Sequence, residues 1–288
     1  MTIASSEHLL RPNPIHDRAP SRVRFCTWNT DDCFNRAGVE SEKRIQLLAE
    51  LDADVVALQE VRGYRTDRFA SGPSVFTNAF FPDRNTSQWM IAGLTFREGT
   101  TIEDHGMVPL PERPQRGVWA RVILPDWSDP ITFVSWHSPH GVNVPAAYKV
   151  SFFGAMEGWL AAQSGPLVLG ADINTWTDPV DLRPADGIDP YSLEHAFVGL
   201  EPRHGLRDAY RLTLEESGRL AEIREASPEG PLAISHSATP TRRDRILISS
   251  EFDAVESAYE TELGFALSDH APHWADLELR HAGSLLRG

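Results

Sequence analysis

Short apolar runs recur along this chain, and several stop at a residue able to do chemistry. Pro166-Leu167-Val168-Leu169 reads as a buried strand ending in a turn, and Gly170-Ala171-Asp172-Ile173-Asn174 follows it directly. On an extended chain, Asp172 and Asn174 present their side chains to the same side. Val23 to Trp28 alternates as a strand that ends at Asn29. Glu42 to Leu51 has helical spacing, with Ile45, Leu48 and Leu51 on one face and Ser41 placed as N-cap. Asp54 to Leu58 is a second buried strand, ending at Gln59-Glu60. Strand, helix and strand in this order predict a βαβ crossover and a partly parallel sheet.

Further strands are predicted over Trp89 to Phe96, Gly117 to Leu124 and Ile131 to Trp136, the last ending at His137. Ala146 to Ala162 reads as a helix whose stripe of Phe152, Met156, Trp159 and Leu160 faces the core. Thr175 to His204 lacks periodicity and carries Pro179, Pro184, Pro190 and Pro202, the signature of a long functional or disordered loop. Gly205 to Glu216 has helical character, and Glu222 to Pro231 reads as another loop. Arg245 to Ser249, Phe252 to Tyr259 and His273 to Leu279 complete the strands. No repeat and no second core with a linker is visible, so one domain is expected over 22–280. A flexible leader containing Pro12, Pro14 and Pro20 is expected over 1–21, and a tail over 281–288.

Composition narrows the class. At 288 residues, with 41% hydrophobic and 24% charged residues, the chain can bury a full core and reads as soluble and globular. No apolar run reaches membrane-spanning length, and the N-terminus has no secretory pattern. The two cysteines, Cys26 and Cys33, could form one bridge, but they fit a reduced cytoplasmic protein better, and no Cys/His zinc spacing occurs. A net charge of -14 argues against broad affinity for nucleic acid or anionic membrane, though not against a local basic patch.

The candidate chemistry sits at the strand ends: Asn29, Glu60, His137, Asp172 with Asn174, Asp244, and Asp269 with His270. Each has a plain structural reading, as a turn residue, a cap, a surface ion pair or a satisfied histidine. As an ordered set on one sheet edge they read as a site. Carboxylates suit a hard divalent cation, with Glu60 the leading ligand candidate, and a histidine paired with a carboxylate can hold or move a proton. His140 and His236 lie near these motifs but outside the pattern.

These stretches resemble the endonuclease/exonuclease/phosphatase superfamily, which includes proteins like deoxyribonuclease I and exonuclease III. The matching segments are Thr27-Trp28-Asn29, Leu58-Gln59-Glu60-Val61, Trp136-His137-Ser138-Pro139, Gly170 to Asn174, Arg243-Asp244-Arg245-Ile246 and Ser268-Asp269-His270, in the family's order. The resemblance implies an α/β fold, a four-layer α/β sandwich with two packed mixed β-sheets flanked by helices. It implies a metal-dependent phosphoric ester hydrolase using Mg2+ or Mn2+. Asn29 would orient the metal site, Glu60 would bind the metal and Asp269 would support one. Asp172 and Asn174 would position the attacking water and the phosphate, with the Asp serving as base in some members. Asp244 would pair with His270, which would act on the water or stabilise the transition state, and His137 would donate to phosphate oxygens or protonate the leaving group. The chain departs from the family in carrying Ala171 between Gly170 and Asp172, and in having no glutamate over Gln88 to Leu94 to partner His137.

The implied substrate is a phosphate ester, possibly nucleic acid. Pro240 to Leu247 partly resembles the inositol polyphosphate 5-phosphatase signature without its Trp-Cys pair, while Thr27-Trp28-Asn29 and Asp244-Arg245-Ile246 also resemble tyrosyl-DNA phosphodiesterases. Two basic clusters, Arg62/Arg65/Arg68 and Arg242/Arg243/Arg245, flank site residues and are candidates to hold phosphates. Three functions follow: a phosphodiesterase or nuclease, a phosphomonoesterase acting on a small metabolite or lipid headgroup, and a binding protein on the same scaffold.

Overall fold

The computed structural model describes residues 21–31, 39–63, 66–69, 72–82, 90–139, 145–174, 197–198, 202–228, 230–238 and 240–280. Their strands are β1 Arg22–Asn29, β2 Val55–Arg62, β3 Ser74–Phe76, β4 Met90–Phe96, β5 Thr101–Met107, β6 Gly117–Ile123, β7 Ile131–His137, β8 Leu167–Asp172, β9 Arg207–Asp208, β10 Asp244–Ile248, β11 Phe252–Tyr259 and β12 His273–Leu279. Two six-stranded sheets result, with orders β11-β12-β1-β2-β4-β3 and β5-β6-β7-β8-β10-β9. Each is mixed. In the first sheet β1 and β2 run parallel, in the second β7 and β8 do, and the other pairings are antiparallel.

Both parallel pairs are joined through a helix, α1 Val39–Leu51 in the first and α3 Ala146–Ala161 in the second, after the single turn α2 Thr66–Phe69. A parallel pair needs such a crossover, and the crossover leaves its helix on a sheet face. The strands beneath therefore have two buried faces. Along β1, Val23 and Phe25 join the core between the sheets, whereas Cys26 and Trp28 pack outward with Leu47 and Leu51 of α1. Along β7, Ile131 and Phe133 face inward, whereas Val134 and Trp136 meet Phe152, Phe153 and Met156 of α3. This is the expected sandwich of two mixed sheets flanked by helices, and alternation on each strand decides which layer a residue joins.

Several local expectations change. In α1 the buried residues are Arg44, Leu47 and Leu51, with Ile45 and Leu48 only partly covered. Arg44 is drawn in because its Nε and Nη2 donate to the Leu267 carbonyl, at the end of the unanticipated α6 Thr261–Leu267. Ser41 lies inside the helix, which begins at Val39. Arg219–Ala226 forms a helix, α5, where a loop was expected from Glu222, and α4 covers Ala209–Glu216 after β9. β5 and β3 were not anticipated; β5 is an edge strand of largely exposed polar residues, so it lacks an apolar run. Most of Thr175 to His204, the leader through 20 and the tail from 281 lie outside the described residues.

At Gly170 the two sheets approach closely. A Cβ there would stand 2.7 Å from Phe25 Cε1 and 2.8 Å from Thr27 Cβ, both on β1 of the opposing sheet. Gly170→Ala should therefore overpack the seam and lower stability by about 1–3 kcal/mol in urea denaturation. An unchanged midpoint would show that the sheets part without cost.

Candidate active site

The C-terminal ends of β1, β2, β7 and β8 gather at one end of the sandwich. Register places His137 beside Asp172 and Asp172 beside Asp244, so β7, β8 and β10 present the three residues in a row on the inner face. Asn29 ends β1 on the opposing sheet, and its Nδ2 donates to Asp172 Oδ2 at 2.9 Å. One pleat deeper, a polar seam joins the sheets. Gln59 Nε2 donates to Thr27 Oγ1 at 3.1 Å and to Ser135 Oγ at 3.0 Å, while Ser135 Oγ donates to the Leu58 carbonyl at 2.8 Å.

Glu60 arrives by a different route. Simple alternation would turn it outward with Val56 and Leu58. A β-bulge between Leu58 and Val61 inserts one extra residue against β4, and Glu60 takes a left-handed φ of 56°. Its side chain then faces the site, with Oε1 at 3.4 Å from His137 Nε2. Bulges of this kind re-aim a side chain beside functional sites.

Asp172 is the meeting point. It is 1% exposed. Its Oδ2 accepts from Asn29 Nδ2 and from Asn174 Nδ2 at 3.0 Å, and Oδ1 accepts from the Asn174 backbone N–H at 3.1 Å. Asn174 reaches this pose with φ 53°, a conformation asparagine tolerates. His137 Nε2 lies 3.4 Å and His270 Nε2 4.0 Å from Asp172 Oδ2. Burial opposes ionisation of Asp172, but the charged His270 imidazole, the Asn29 amide and the Arg243 guanidinium hold its carboxyl below the usual range.

The two histidines differ in charge. His270 Nδ1 is 2.8 Å from Asp244 Oδ2, and Asp244 is fully buried. Burial alone would discharge His270, yet the Asp244 and Asp172 carboxylates outweigh it and raise the imidazole to about 10. Burial and then the neighbouring Arg116 charge keep His137 well below its ordinary value, hence neutral. Backbone geometry around His270 is fixed by Trp28 Nε1 donating to its carbonyl at 2.9 Å and by its own N–H donating to Ser268 Oγ at 3.1 Å.

Each residue singled out at the strand ends lies at or beside this one end of the sandwich, though not in one ligand group. Glu60, His137 and Asp172 bring potential ligand atoms within 4.8 Å of one another, and the two carboxylates among them fit Mg2+ or Mn2+. Asp269 falls instead with His236 and His270. Asn29 turns its Nδ2 to Asp172 and its Oδ1 to the Asp31 N–H, at 3.1 Å, so it steadies the carboxylate. The basic clusters separate. Arg242 and Arg245 are buried on Asp208, whereas Arg243 reaches the site, with Nη1 3.4 Å from Asn174 Oδ1. Arg65 and His140 lie outside the described residues.

Three site neighbours escaped the sequence reading. Arg116, buried before β6, donates to the Ser138 carbonyl at 3.0 Å, and its charge acts on Glu60 and Asp172. Lys149 Nζ is 3.4 Å from the Asn174 carbonyl. A lysine on the apolar stripe, one turn before Phe152 and Phe153, was the signal for it. Ser235 Oγ accepts from the N–H groups of Arg243 and Asp244 at 2.8 and 3.0 Å, a role without any sequence pattern.

No family model and no curated protein matches the chain. Solved structures do match at low identity. An endonuclease/exonuclease/phosphatase from Bacteroides vulgatus is 16% identical with a TM-score of 0.62, over 90% of this chain and 99% of its own. D. rerio TDP2 complexed with a single-strand DNA product is 14% identical with a TM-score of 0.62, over 90% and 99%. The human Nocturnin catalytic domain with a bound sulfate anion is 14% identical with a TM-score of 0.62, over 91% and 96%. The chain thus has the endonuclease/exonuclease/phosphatase, or deoxyribonuclease I-like, fold that its motifs resemble.

Burial, then the charge of Asp172, push the Glu60 carboxyl from 4.5 up to about 7. A raised value means that the folded protein favours the protonated form. In chelator, Glu60 should therefore cost stability as pH rises from about 4.5 to about 7, by about 3 kcal/mol in all. Glu60→Gln should flatten that slope in denaturation curves taken across the window and leave the protein more stable at alkaline pH. An unchanged slope would show that Glu60 titrates normally.

Proposed function

We propose that this protein is a divalent-metal-dependent hydrolase of phosphate esters, acting on diesters as a phosphodiesterase or nuclease. The observation that carries the reading is the buried, ionised Asp172 set between neutral His137 and charged His270, with Glu60 alongside. A cation held by Glu60 and Asp172 would polarise the phosphoryl oxygens and acidify a water. Asp172 and Asn174 orient the attacking water and receive its proton at the Asp172 carboxylate. His270, kept charged by Asp244, donates from Nε2 to the phosphoryl oxygens as negative charge grows. His137 also donates from Nε2, beside Asp172. Arg116, Lys149 and Arg243 add positive charge around Asn174, where a phosphate would lie.

The diester reading draws support from the single-strand DNA product on D. rerio TDP2 and from the sulfate on human Nocturnin, both on this fold. With a net charge of -14, the chain suits a short or single-stranded substrate better than long duplex. No helix among the described residues is long and apolar enough to cross a membrane. Cys26 is a buried free thiol, which suits the cytoplasm we propose for the protein.

The test compares bis-p-nitrophenyl phosphate with p-nitrophenyl phosphate in Mg2+ or Mn2+. The diester should turn over, and a chelator should stop it. Asp172→Asn and His270→Gln should each lower kcat about 10²–10⁴-fold. A clear preference for the monoester would favour a phosphomonoesterase instead. Absence of metal-dependent turnover on either ester would count against a hydrolase and for a binding protein.

A further inference from the structure

A second group of ligating side chains adjoins the site but shares only His270 with it. His236 Nε2 lies 3.2 Å from Asp269 Oδ2, and His270 Nε2 lies 3.9 Å from Asp269 Oδ1. The two rings stand perpendicular at 4.6 Å between centroids, and a backbone bridge pairs His236 with His270. One ligand atom from each of the three residues falls within 4.8 Å of the others. A tetrahedral ion with bonds of about 2.0–2.1 Å holds its ligand atoms about 3.3–3.4 Å apart, so the observed separations need only small side-chain rotations.

The chemistry of this group differs from that of Glu60, His137 and Asp172. Two imidazoles and one carboxylate suit zinc and its borderline neighbours, whereas Mg2+ prefers oxygen ligands. His270 is already oriented as a ligand, since Asp244 engages Nδ1 and directs Nε2 into the group. Carboxylate–histidine pairs of this kind fix the tautomer and raise ligand basicity. Asp269 is 42% exposed at its side chain, which gives an ion a path in from solvent and leaves a fourth position to water. The Asp269 carbonyl is also pinned, accepting from the Ser237 N–H at 2.8 Å.

We propose that His236, Asp269 and His270 form a binding site for Zn2+ or a similar transition metal, separate from the Mg2+ site, and that its occupancy switches the enzyme off. Binding at His270 Nε2 releases that nitrogen's proton to solvent, and the ion then occupies the nitrogen that faces Asp172 and the phosphoryl group. The binding rests on the geometry of the three residues alone; the inhibition rests also on the hydrolase function proposed above.

Isothermal titration of the full chain with Zn2+, in excess Mg2+, tests the site without reference to activity. Wild type and Glu60→Gln should bind one Zn2+, and His236→Gln should bind at least about tenfold more weakly. Asp269→Asn, at a half-exposed position with little bearing on folding, should weaken it similarly. Failure of wild type to bind Zn2+, undiminished binding in both variants, or loss of binding in Glu60→Gln alone would overturn the site. In the turnover assay, Zn2+ should arrest Mg2+-supported hydrolysis by wild type while His236→Gln keeps its basal rate and resists. Equal arrest of both would overturn the inhibitory role. If wild type hydrolyses nothing, the hydrolase reading fails, and the Zn2+ site stands or falls on the titration.

Discussion

A carboxylate that is both fully buried and ionised must be compensated on every side, and Asp172 imposes that demand on the rest of the molecule. An unpaired buried charge is far too costly for a protein to retain. Compensation comes from the ends of separate strands: Asn29 from β1, His137 from β7, Asn174 just beyond β8, and His270 before β12. No local segment could supply this set. The two βαβ crossovers can, because they leave the C-terminal ends of β1, β2, β7 and β8 at one edge of the sandwich. The seam of Gln59, Thr27 and Ser135 then fixes the spacing between the sheets directly beneath the site.

Charge is divided between two imidazoles that flank the same carboxylate. His270 has Asp244 behind it and stays protonated, while burial, reinforced by the nearby Arg116 charge, keeps His137 neutral. Two histidines with opposite states can act as different reagents without a change of pH. The arrangement strains the folded protein at Glu60, whose carboxyl is buried and also crowded by Asp172, and whose backbone adopts a left-handed bend. Functional sites commonly sacrifice stability in this way.

Most strand ends were legible in the sequence because an apolar run that stops at Asp, Asn or His is a strong local signal. Asn29, His137, Asp172 and Asp244 all follow or open such a run, and each lies on the inner face that alternation assigns it. Glu60 shows where that reasoning stops, since alternation sends it outward and only the bulge returns it. The arginines near Asp244 illustrate a second limit. Close in sequence, they part against simple alternation: Arg242 and Arg245, of opposite parity, both meet Asp208, while Arg243, of the same parity as Arg245, turns toward Asn174. β5 and α5 were hidden because edge strands and surface helices need no apolar run, and Arg44 was unreadable because its partner is a carbonyl more than two hundred residues away.

The two histidines around Asp172 carry opposite charge states, and ¹⁵N NMR of the imidazole nitrogens reads them directly. In metal-free protein, His270 should stay doubly protonated through neutral pH and titrate near 10, while His137 should show one protonated nitrogen throughout. Asp244→Asn should bring the His270 midpoint down. A neutral His270 at neutral pH, or a charged His137, would contradict the account.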